Sequence, residues 1–425
     1  MPPTRRNEDG LLARVNFPLY TLKMLTSRHI IVAGGGGAAN TGVANGFEIY
    51  ELSHDGERYV AEEIVRHETG TSVVMNCASY SNGHKSYLVA GQESHCQLYS
   101  VNAKVVDEKK VLNSEEKDDH KELRARNVSS KKENSEEEKA GEKKNSSSKR
   151  LKFEIKPSDS IQTDFCKDDP FQRVVRIGCS GKLMVTGGTD GHVRLWAFPS
   201  LKKLIDIAGH KKEIDDVDIS PDEQTIVSLA KDGCGILWDV KSGKKIGELQ
   251  WDTPENAKFL YKRCRFGVSE GRKSRLFTIC NPIHRNTKLK SYIQLWDPID
   301  VTLKRVAACN EFLSALSVSD DGKFVAIGTM SSGSVSVYIA FSLQRVLHVN
   351  SAHTMFVTGL EFLPSICEDS ALSSCTETAV VSISVDNRIC IHDLRYRSTI
   401  PYWLAIVFIV ITLFFTLLIC SFLGL

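Results

Sequence analysis

The hydrophobic and polar positions of the chain repeat a two-strand pattern. In each repeat a short apolar run is followed by glycine or Asp-Gly turn residues. A strand of alternating apolar and polar residues comes next, and it ends in an aromatic residue or a histidine. Alternation with a period of two predicts strands with one buried face. The pattern occurs seven times, and its terminal rings are Tyr50, Tyr99, Trp196, Trp238, Trp296, Tyr338 and His392.

The spacing of the repeats indicates a β-propeller. Most consecutive terminal rings are separated by about 40 to 60 residues, which is the period of propeller blades or slightly more. The pairs Trp238-Asp239 and Trp296-Asp297 resemble the dipeptide that names the WD-repeat proteins, and Gly209-His210 resembles their glycine–histidine pair. We therefore predict an all-β fold, a seven-bladed WD-repeat-like β-propeller over residues 11–395.

Two segments depart from the regular repeat. The interval from Tyr99 to Trp196 is about twice the others, because it contains residues 107–150, which are rich in Lys, Glu, Asp, Asn and Ser and have no aromatic residue. Such a composition buries too little apolar surface to fold, so we predict a disordered charged loop inserted in the propeller. The seventh repeat has no outer strand after it. We expect the segment around Leu11 to Val15 to return and close the ring.

The residues after the seventh repeat predict a membrane anchor. Residues 401–423 contain no charged side chain, and about 20 apolar residues are enough for a helix to cross the hydrocarbon core. A buried core helix is the alternative, but such helices are rarely apolar on every face. Arg395 and Arg397 precede the segment, and positive charge stays cytoplasmic. We therefore expect one transmembrane helix with the propeller facing the cytoplasm.

Composition argues against several other classes of protein. The net charge of +2 gives no overall attraction to a polyanion. The twelve cysteines are scattered, and none forms a C-x-x-C pair. Because Cys77, Cys179 and Cys264 fall in apolar strand-like runs, we expect reduced, buried thiols and neither a disulfide framework nor a zinc site.

No residue pattern indicates covalent catalysis. Histidines recur at blade positions where hydrogen bonds within the repeat are expected, namely at His210, His353 and His392. Three aspartates are read in the same way, as turn or intra-blade residues: Asp190, Asp216 and Asp232. Because no paired carboxylate or nucleophile–base motif stands out, we predict that the protein is not an enzyme with covalent chemistry.

The first repeat contains an unusual glycine-rich segment, VAGGGGAANTGVANGFEIY, from Val32 to Tyr50. No Lys-Ser or Lys-Thr follows the glycines, and a strand rather than a helix comes next, which excludes the common phosphate-binding loops. Glycines allow successive carbonyl groups to point inward. Carbonyl oxygens together with Asn and Thr side chains suit a monovalent cation such as potassium. A rim loop that binds nothing is the alternative.

Several motifs together resemble one family of WD-repeat proteins. They are F-P-L-Y at Phe17 to Tyr20, A-G-G-G-G at Ala33 to Gly37, T-G-V-A-N at Thr41 to Asn45, A-G-Q-E-S-H-C-Q-L at Ala90 to Leu98, Q-T-D-F at Gln162 to Phe165 and Y-I-A-F-S-L-Q at Tyr338 to Gln344. With the C-terminal anchor they resemble the family of the prolactin regulatory element-binding protein. Its members are the animal endoplasmic-reticulum exchange factors for the small GTPase that starts COPII coat assembly.

The resemblance implies a guanine nucleotide exchange factor that promotes GDP release and GTP loading on that GTPase, at the endoplasmic reticulum membrane, for transport to the Golgi. It implies that Val43 is an apolar probe entering the GTPase, where fungal members carry Ile, and that Asn45 braces the loop. A potassium site would be shaped by Gly34, Gly35, Gly36, Gly37, Asn40, Thr41 and Asn45.

Two other functions remain open at this level. A propeller can be an interaction scaffold without exchange activity. The family name suggests a DNA-binding transcriptional regulator, but the sequence shows no zinc finger, helix-turn-helix or basic helix, which argues against a nucleic-acid partner.

Overall fold

The computed structural model describes residues 4–5, 10–37, 42–83, 85–107, 149–269, 273–284, 289–365, 372, 376–395 and 402–423. The chain begins with β1 (Thr4–Arg5) and β2 (Leu11–Arg14). Blade 1 contains β3 (Leu19–Met24), β4 (His29–Gly34), β5 (Gly46–His54) and β6 (Tyr59–Glu68). Blade 2 contains β7 (Asn76–Ser81), β8 (Ser86–Gln92), β9 (His95–Asp107) and β10 (Lys149–Gln162). Blade 3 contains β11 (Gln172–Ile177), β12 (Leu183–Gly188), β13 (His192–Ala197) and β14 (Lys202–Ala208).

The remaining four blades continue the same order. Blade 4 contains β15 (Ile214–Ile219), β16 (Thr225–Ala230), β17 (Gly235–Asp239) and β18 (Lys245–Glu248). After a short 3₁₀ helix (Pro254–Asn256), blade 5 contains β19 (Phe259–Ser269), β20 (Lys273–Pro282), β21 (Ser291–Asp297) and β22 (Thr302–Cys309). Blade 6 contains β23 (Leu313–Val318), β24 (Phe324–Thr329), β25 (Val335–Ile339) and β26 (Gln344–Val349). Blade 7 contains β27 (Val357–Phe362), β28 (Thr376–Ser384) and β29 (Arg388–Arg395), with β2 as its outer strand.

The predicted seven-bladed propeller is confirmed. The first strand of each blade contacts the first strand of both neighbouring blades, so the seven inner strands form a closed ring. The terminal rings of the seven repeats all lie on the third strands, where they are buried between blades. Each sheet packs against both neighbouring sheets, so a middle strand such as β4 is buried on both faces, with Ile30 and Val32 facing blade 7 and Ile31 and Ala33 facing blade 2. An outer strand such as β6 is more exposed.

The N-terminal segment closes the ring, as expected from the missing outer strand. Strand β2 pairs antiparallel with β29, with Leu11 opposite Cys390 and Arg14 opposite Arg388. The Val15 amide also donates to the Asn387 carbonyl (2.9 Å). The short strand β1 adds a parallel partner to the outer edge of blade 6.

The histidines that recur at blade positions make hydrogen bonds within single blades, as predicted. In blade 4 the His210 ring contacts Asp232 (3.2 Å) and the Ser228 hydroxyl (2.7 Å), and the Trp238 indole donates to the same hydroxyl (2.7 Å). Blade 7 repeats this network with His353, Asp386 and Ser382, and His392 takes the place of the tryptophan.

Two expectations from the sequence, for Asp216 and for Cys179, are corrected. Asp216 is not a residue of its own blade's network: it points into the central channel and pairs with Arg176 of blade 3 (3.4 Å) and Arg265 of blade 5 (2.6 Å). Cys77 and Cys264 are buried, but Cys179 lies in a turn and is exposed. The apolar run around Cys179 therefore predicted a burial that the structure does not show.

Both predicted boundaries of the charged loop, at residues 107 and 150, fall inside strands. Lys149 pairs with Asp107 and Arg150 with Val106, so β9 and β10 extend into the segment given as 107–150. Antiparallel pairing satisfies the backbone of these charged residues without requiring an apolar core. Residues 108–148 lie outside the described part of the chain.

The two ends of the blades form two different faces. Strands alternate in direction, so the turns between second and third strands share one face with the connections between blades. We call this the upper face; it holds residues 35–37, 42–45 and 69–75. The lower face holds the turns between first and second and between third and fourth strands. Its turns contact one another, as when the Ala340 amide donates to the Lys323 carbonyl (2.8 Å).

The helix after the propeller has the composition of a membrane span. Strand β29 ends at Arg395 on the lower face, and α1 (Tyr402–Leu423) follows. Among the described residues it is the one helix long and apolar enough to cross a bilayer, and its residues from Ile406 onward are exposed. The hydroxyls of Thr412 and Thr416 donate to carbonyls of the preceding helical turn, so their polar groups are satisfied in lipid.

Candidate functional site

The glycine-rich segment forms a long loop on the upper face of blade 1. It connects Gly34, the last residue of β4, with Gly46, the first residue of β5. The structure describes residues 35–37 and 42–45 of this loop. Two predicted site residues, Asn40 and Thr41, lie outside the described residues. The described residues form the base of the loop, which contains Val43 and Asn45.

Asn45 ties the two ends of the loop base together. Its side-chain Oδ1 accepts a hydrogen bond from the Gly37 amide (2.8 Å), and its Nδ2 donates to the Gly37 carbonyl (3.1 Å). The same Nδ2 donates to the Gly70 carbonyl in the connection to blade 2 (2.9 Å). Asn45 is buried. Three hydrogen bonds to backbone groups make it the brace of the loop.

The glycines at the start of the loop are required by close packing. A Cβ atom on Gly34 would lie 1.8 Å from the Pro18 carbonyl oxygen. Gly35 has a φ of +144°, and a Cβ atom there would lie 2.1 Å from Asn45 Oδ1. Gly35 also donates its amide to the Pro18 carbonyl (3.1 Å). The backbone must pass between Pro18 and Asn45, and only glycine fits both positions.

Val43 is only partly exposed. Its side chain packs against the apolar cluster between blades 7 and 1, which includes Val15, Leu19 and Ile383. An apolar residue that reaches a partner from here would present one part of its surface to that partner and keep the other part on the propeller. This contact also restricts the position of the residues that precede Asn45.

The strand below the loop is held by a buried ion pair. Glu48 is fully buried and accepts hydrogen bonds from Arg66 Nε (2.7 Å) and from the Tyr50 hydroxyl (2.6 Å). Hydrogen bonding to Glu48 raises the pKa of Arg66, and burial raises the pKa of Tyr50. Phe47 stacks on His67 of the next strand, with ring centroids 4.9 Å apart. These contacts give the loop a rigid platform.

The loop chemistry fits a weakly bound monovalent cation better than a divalent one. Residues 35–45 contain no carboxylate, so the available donors are neutral oxygens. Among the described loop residues, the Gly37 carbonyl and Asn45 Oδ1 already take part in hydrogen bonds. Of the predicted set, the structure brings Gly35 and Gly37 next to Asn45, and Gly34 pairs with Gly46 at the base of the loop.

Sequence reasoning missed the partners of the loop. Gly70 accepts the third hydrogen bond of Asn45, and Pro18 contacts the first two glycines. Pro18 belongs to the F-P-L-Y motif, which supported the family resemblance but did not indicate a contact with the glycines. The acidic residue within the otherwise apolar run F-E-I-Y was the signal for the buried Glu48 network. Nothing in the local sequence marks Gly70.

Comparisons with known proteins agree with the propeller and extend over 96% of the chain. The family model described as "WD domain, G-beta repeat" matches residues 172–197 and 201–239, which span most of blades 3 and 4. "Guanine nucleotide-exchange factor SEC12" of Mus musculus is 35% identical over 417 residues, 96% of each chain. The Rattus norvegicus protein of the same name is 34% identical over the same share. "SEC12-like protein 2" of Arabidopsis thaliana is 25% identical over 222 residues, 52% of this chain and 51% of that one.

Proposed function

Because the chain belongs to the SEC12 family of guanine nucleotide-exchange factors, we propose that it promotes GDP release and GTP loading on the small GTPase that initiates COPII coat assembly. The observation that carries the proposal is the similarity across 96% of both chains. The protein acts by binding to its partner.

Exchange by binding requires a loop that keeps its shape. A GTPase holds GDP through its phosphate loop and a magnesium ion. A partner that binds the nucleotide-free form more tightly than the GDP form must weaken GDP binding by the same factor. In our proposal Val43 supplies the apolar contact to the GTPase. Asn45 prevents the loop from yielding, through its bonds to Gly37 and Gly70.

A potassium ion would stiffen the rest of the loop. The carbonyl groups of Gly34, Gly35, Gly36 and Gly37, with the side chains of Asn40 and Thr41, would hold it. Neutral oxygen donors of this kind replace the hydration shell of a weakly hydrated cation. The ion would order residues that the hydrogen bonds of Asn45 do not reach.

The anchor would place this activity on one membrane. We propose that α1 spans the endoplasmic reticulum membrane and that the propeller faces the cytoplasm, where the GTPase and GTP are found. The basic residues Arg395 and Arg397 before the helix support this orientation. Confinement of the exchange factor to a membrane raises its effective concentration for a partner that binds the same membrane.

The test is the rate of GDP release from the GTPase, measured with a fluorescent GDP analogue and the full chain in detergent micelles. We expect the wild-type protein to accelerate release, and Val43→Asp to reduce the acceleration by about tenfold or more, which corresponds to the loss of about 1.4 kcal/mol of differential binding. Val60→Asp is the matched control, because Val60 is exposed on β6 of the same blade.

Folding of the variants is checked by thermal unfolding, and Val43→Ala provides a milder change should the aspartate destabilise the blade. A wild-type chain that leaves GDP release at the intrinsic rate would refute the proposed activity. Equal rates for Val43→Asp and Val60→Asp would refute the role of Val43 alone.

A further inference from the structure

The connection between the propeller and the helix is short. Strand β29 ends at Arg395 on the lower face, and α1 begins at Tyr402. Seven Cα–Cα steps span at most about 25 Å, even in a fully extended chain. The lower face at blade 7 must therefore stay within this distance of the apolar helix, whatever conformation residues 396–401 adopt. If α1 spans a bilayer, the lower face is the face that lies beside it.

Two large apolar side chains project from this face, on the two blades that precede blade 7 in the chain. Ile299 lies in the turn between β21 and β22 of blade 5 and is 80% exposed, and Phe341 lies in the turn between β25 and β26 of blade 6 and is 71% exposed. They are the most exposed large hydrophobic residues of the described propeller. Single exposed apolar residues are common on protein surfaces. These two share the face from which the anchor leaves.

Basic side chains accompany the two apolar turns. Arg275, Lys304 and Arg305 line a cleft of about 600 Å³ together with Phe341. Arg275 pairs with Asp297 (2.7 Å). Within the described part of the chain, no carboxylate lies within ion-pair distance of Lys304 or Arg305. Their charges are therefore available to an anionic surface.

Hydrogen bonds link blade 7 to blade 6 at this face. The Ser365 amide at the end of β27 donates to the Asp320 carboxylate in the first turn of blade 6 (3.1 Å). The Lys323 carbonyl of that turn accepts the Ala340 amide beside Phe341 (2.8 Å). A contact made by Phe341 would thus restrain blade 7 as well.

From this arrangement we propose that the lower face rests on the bilayer, with Phe341 and Ile299 in the interfacial layer and Lys304 and Arg305 against anionic lipid headgroups. Aromatic and aliphatic side chains partition into this layer, and basic residues are attracted to anionic headgroups. Because the anchor keeps the propeller beside the membrane, a weak contact is sufficient to orient it. The glycine loop, on the upper face, then points away from the membrane. This contact requires the anchor and is independent of the exchange activity.

The experiment places a tryptophan at each face of the full chain reconstituted in vesicles. Phe341→Trp reports on the lower face, and Phe165→Trp is the matched control, because Phe165 is 52% exposed in a connection on the upper face. The vesicles contain phosphatidylcholine and phosphatidylserine, with or without bromine on the acyl chains. Unmodified protein gives the baseline from its native tryptophans.

We expect Phe341→Trp to add emission that brominated lipid quenches, with a blue shift, and Phe165→Trp to add emission that it does not quench. Equal quenching of the two added tryptophans, or none for Phe341→Trp, would overturn the proposal. Lys304→Glu with Arg305→Glu in the Phe341→Trp background should reduce quenching in phosphatidylserine-containing vesicles. Unchanged quenching there would overturn the role of the headgroups.

The proposed exchange activity is measured on the same samples in detergent. We expect Phe341→Trp to accelerate GDP release as the wild-type protein does. Failure of the membrane contact would then appear as absent quenching with normal exchange, and failure of the proposed exchange function as absent acceleration in every variant.

Discussion

Blades 1 and 4 use the same position of the fold in opposite ways. In blade 4 the second and third strands are joined by a tight turn of residues 231–234. Asp232 in this turn accepts the Lys211 amide (3.1 Å) and contacts His210 (3.2 Å). In blade 1 the corresponding connection is the loop of residues 35–45. Asn45 braces this loop by hydrogen bonds to Gly37, earlier in the loop, and to Gly70, in the connection to blade 2.

Blades 1 and 4 differ in what their hydrogen-bond networks hold in place. The network of blade 4 runs from the turn through His210 and Ser228 to Trp238, so it fixes the blade and satisfies its members internally. In blade 1, Asn45 fixes only the base of its loop, and Tyr50 donates instead to the Glu48 of the buried ion pair. A network that closes on the blade contributes to stability, whereas the network of Asn45, in our proposal, fixes a loop that a partner binds. We expect mutations to separate these two effects.

The largest effect is expected for Asn45→Ala. Its removal breaks the hydrogen bonds to the partly exposed Gly37 and the exposed Gly70, each of which contributes about 0.5–1.5 kcal/mol. We expect the acceleration of GDP release to fall by about tenfold or more, as each 1.4 kcal/mol corresponds to a factor of ten. The measurement is the GDP-release assay, with the free energy of unfolding determined in parallel.

Asn281→Ala is the matched control for this change. Asn281 is also buried and also makes a two-way bridge to backbone, with the Leu313 carbonyl (2.8 Å) and the Leu313 amide (2.9 Å), but between blades 5 and 6. It should lower stability by a similar amount and leave exchange unchanged. If both variants lost exchange equally, the brace of blade 1 would have no special role.

His210→Ala should produce the opposite result in blade 4. The ring is fully buried, and its loss removes contacts with Asp232 and Ser228. We expect the free energy of unfolding to fall by about 2–4 kcal/mol from the lost packing and hydrogen bonds, with normal exchange by the folded protein. His192→Ala, which removes a partly exposed contact with Asp206, should cost less than about 1 kcal/mol. Similar losses for both would contradict this comparison.

Acid sensitivity should come from the network of blade 7, where histidine replaces tryptophan. Burial, reinforced by the neighbouring His353, lowers the pKa of His392 to about 3. The folded protein then binds this proton less readily than the unfolded chain, whose histidine titrates near about 6.5. The contribution to stability is complete above about 6.5 and decreases as the pH falls toward about 3, by about 2 kcal/mol at pH 5.

The measurement is the free energy of unfolding at pH 7 and pH 5. His392→Trp should remove this part of the pH dependence, because an indole does not titrate and can donate to Ser382 as tryptophan does in blade 4. His95→Gln, at an exposed position on β9, should retain the wild-type dependence. A His392→Trp protein as acid-sensitive as the wild type would exclude His392 as the source.

The smallest effect is expected from exchanging potassium for sodium. If a potassium ion orders the loop of blade 1, amide hydrogen exchange at Gly42 to Asn45 should become a few-fold faster in sodium. Amides in the turn of blade 4, such as Cys234, which donates to Asp232 Oδ1 (2.9 Å), should not change. Identical exchange at Gly42 to Asn45 in the two salts would remove the ion from the proposal.

Much of the architecture could be predicted from the sequence, because its determinants are local. A strand buried on one face alternates with period two, and a ring at its end fills the space between two blades. This is why the positions of Trp196, Trp238 and His392 indicated third strands correctly. A continuous apolar segment likewise indicates a span without knowledge of any neighbour. The glycine loop was predicted in the same way, from residues that are adjacent in the chain.

The contacts that give the loop its shape were decided by the tertiary structure. Asn45 needs Gly70 from the next connection, and Val43 needs the cluster formed with blade 7. Cys179 shows the limit of the pattern, because an alternating run can continue into an exposed turn. Asp216 shows a second limit, because its arginine partners come from blades on either side.

The sequence by itself determined the number of blades, the placement of their rings, the glycine loop and the membrane span, since each depends on residues near one another in the chain. The tertiary structure decided how the ring closes, what braces the loop and which face lies beside the anchor. Leu11 meets Cys390 only after seven blades have completed a circle. Such pairings depend on the summed geometry of all the sheets, which no local pattern contains.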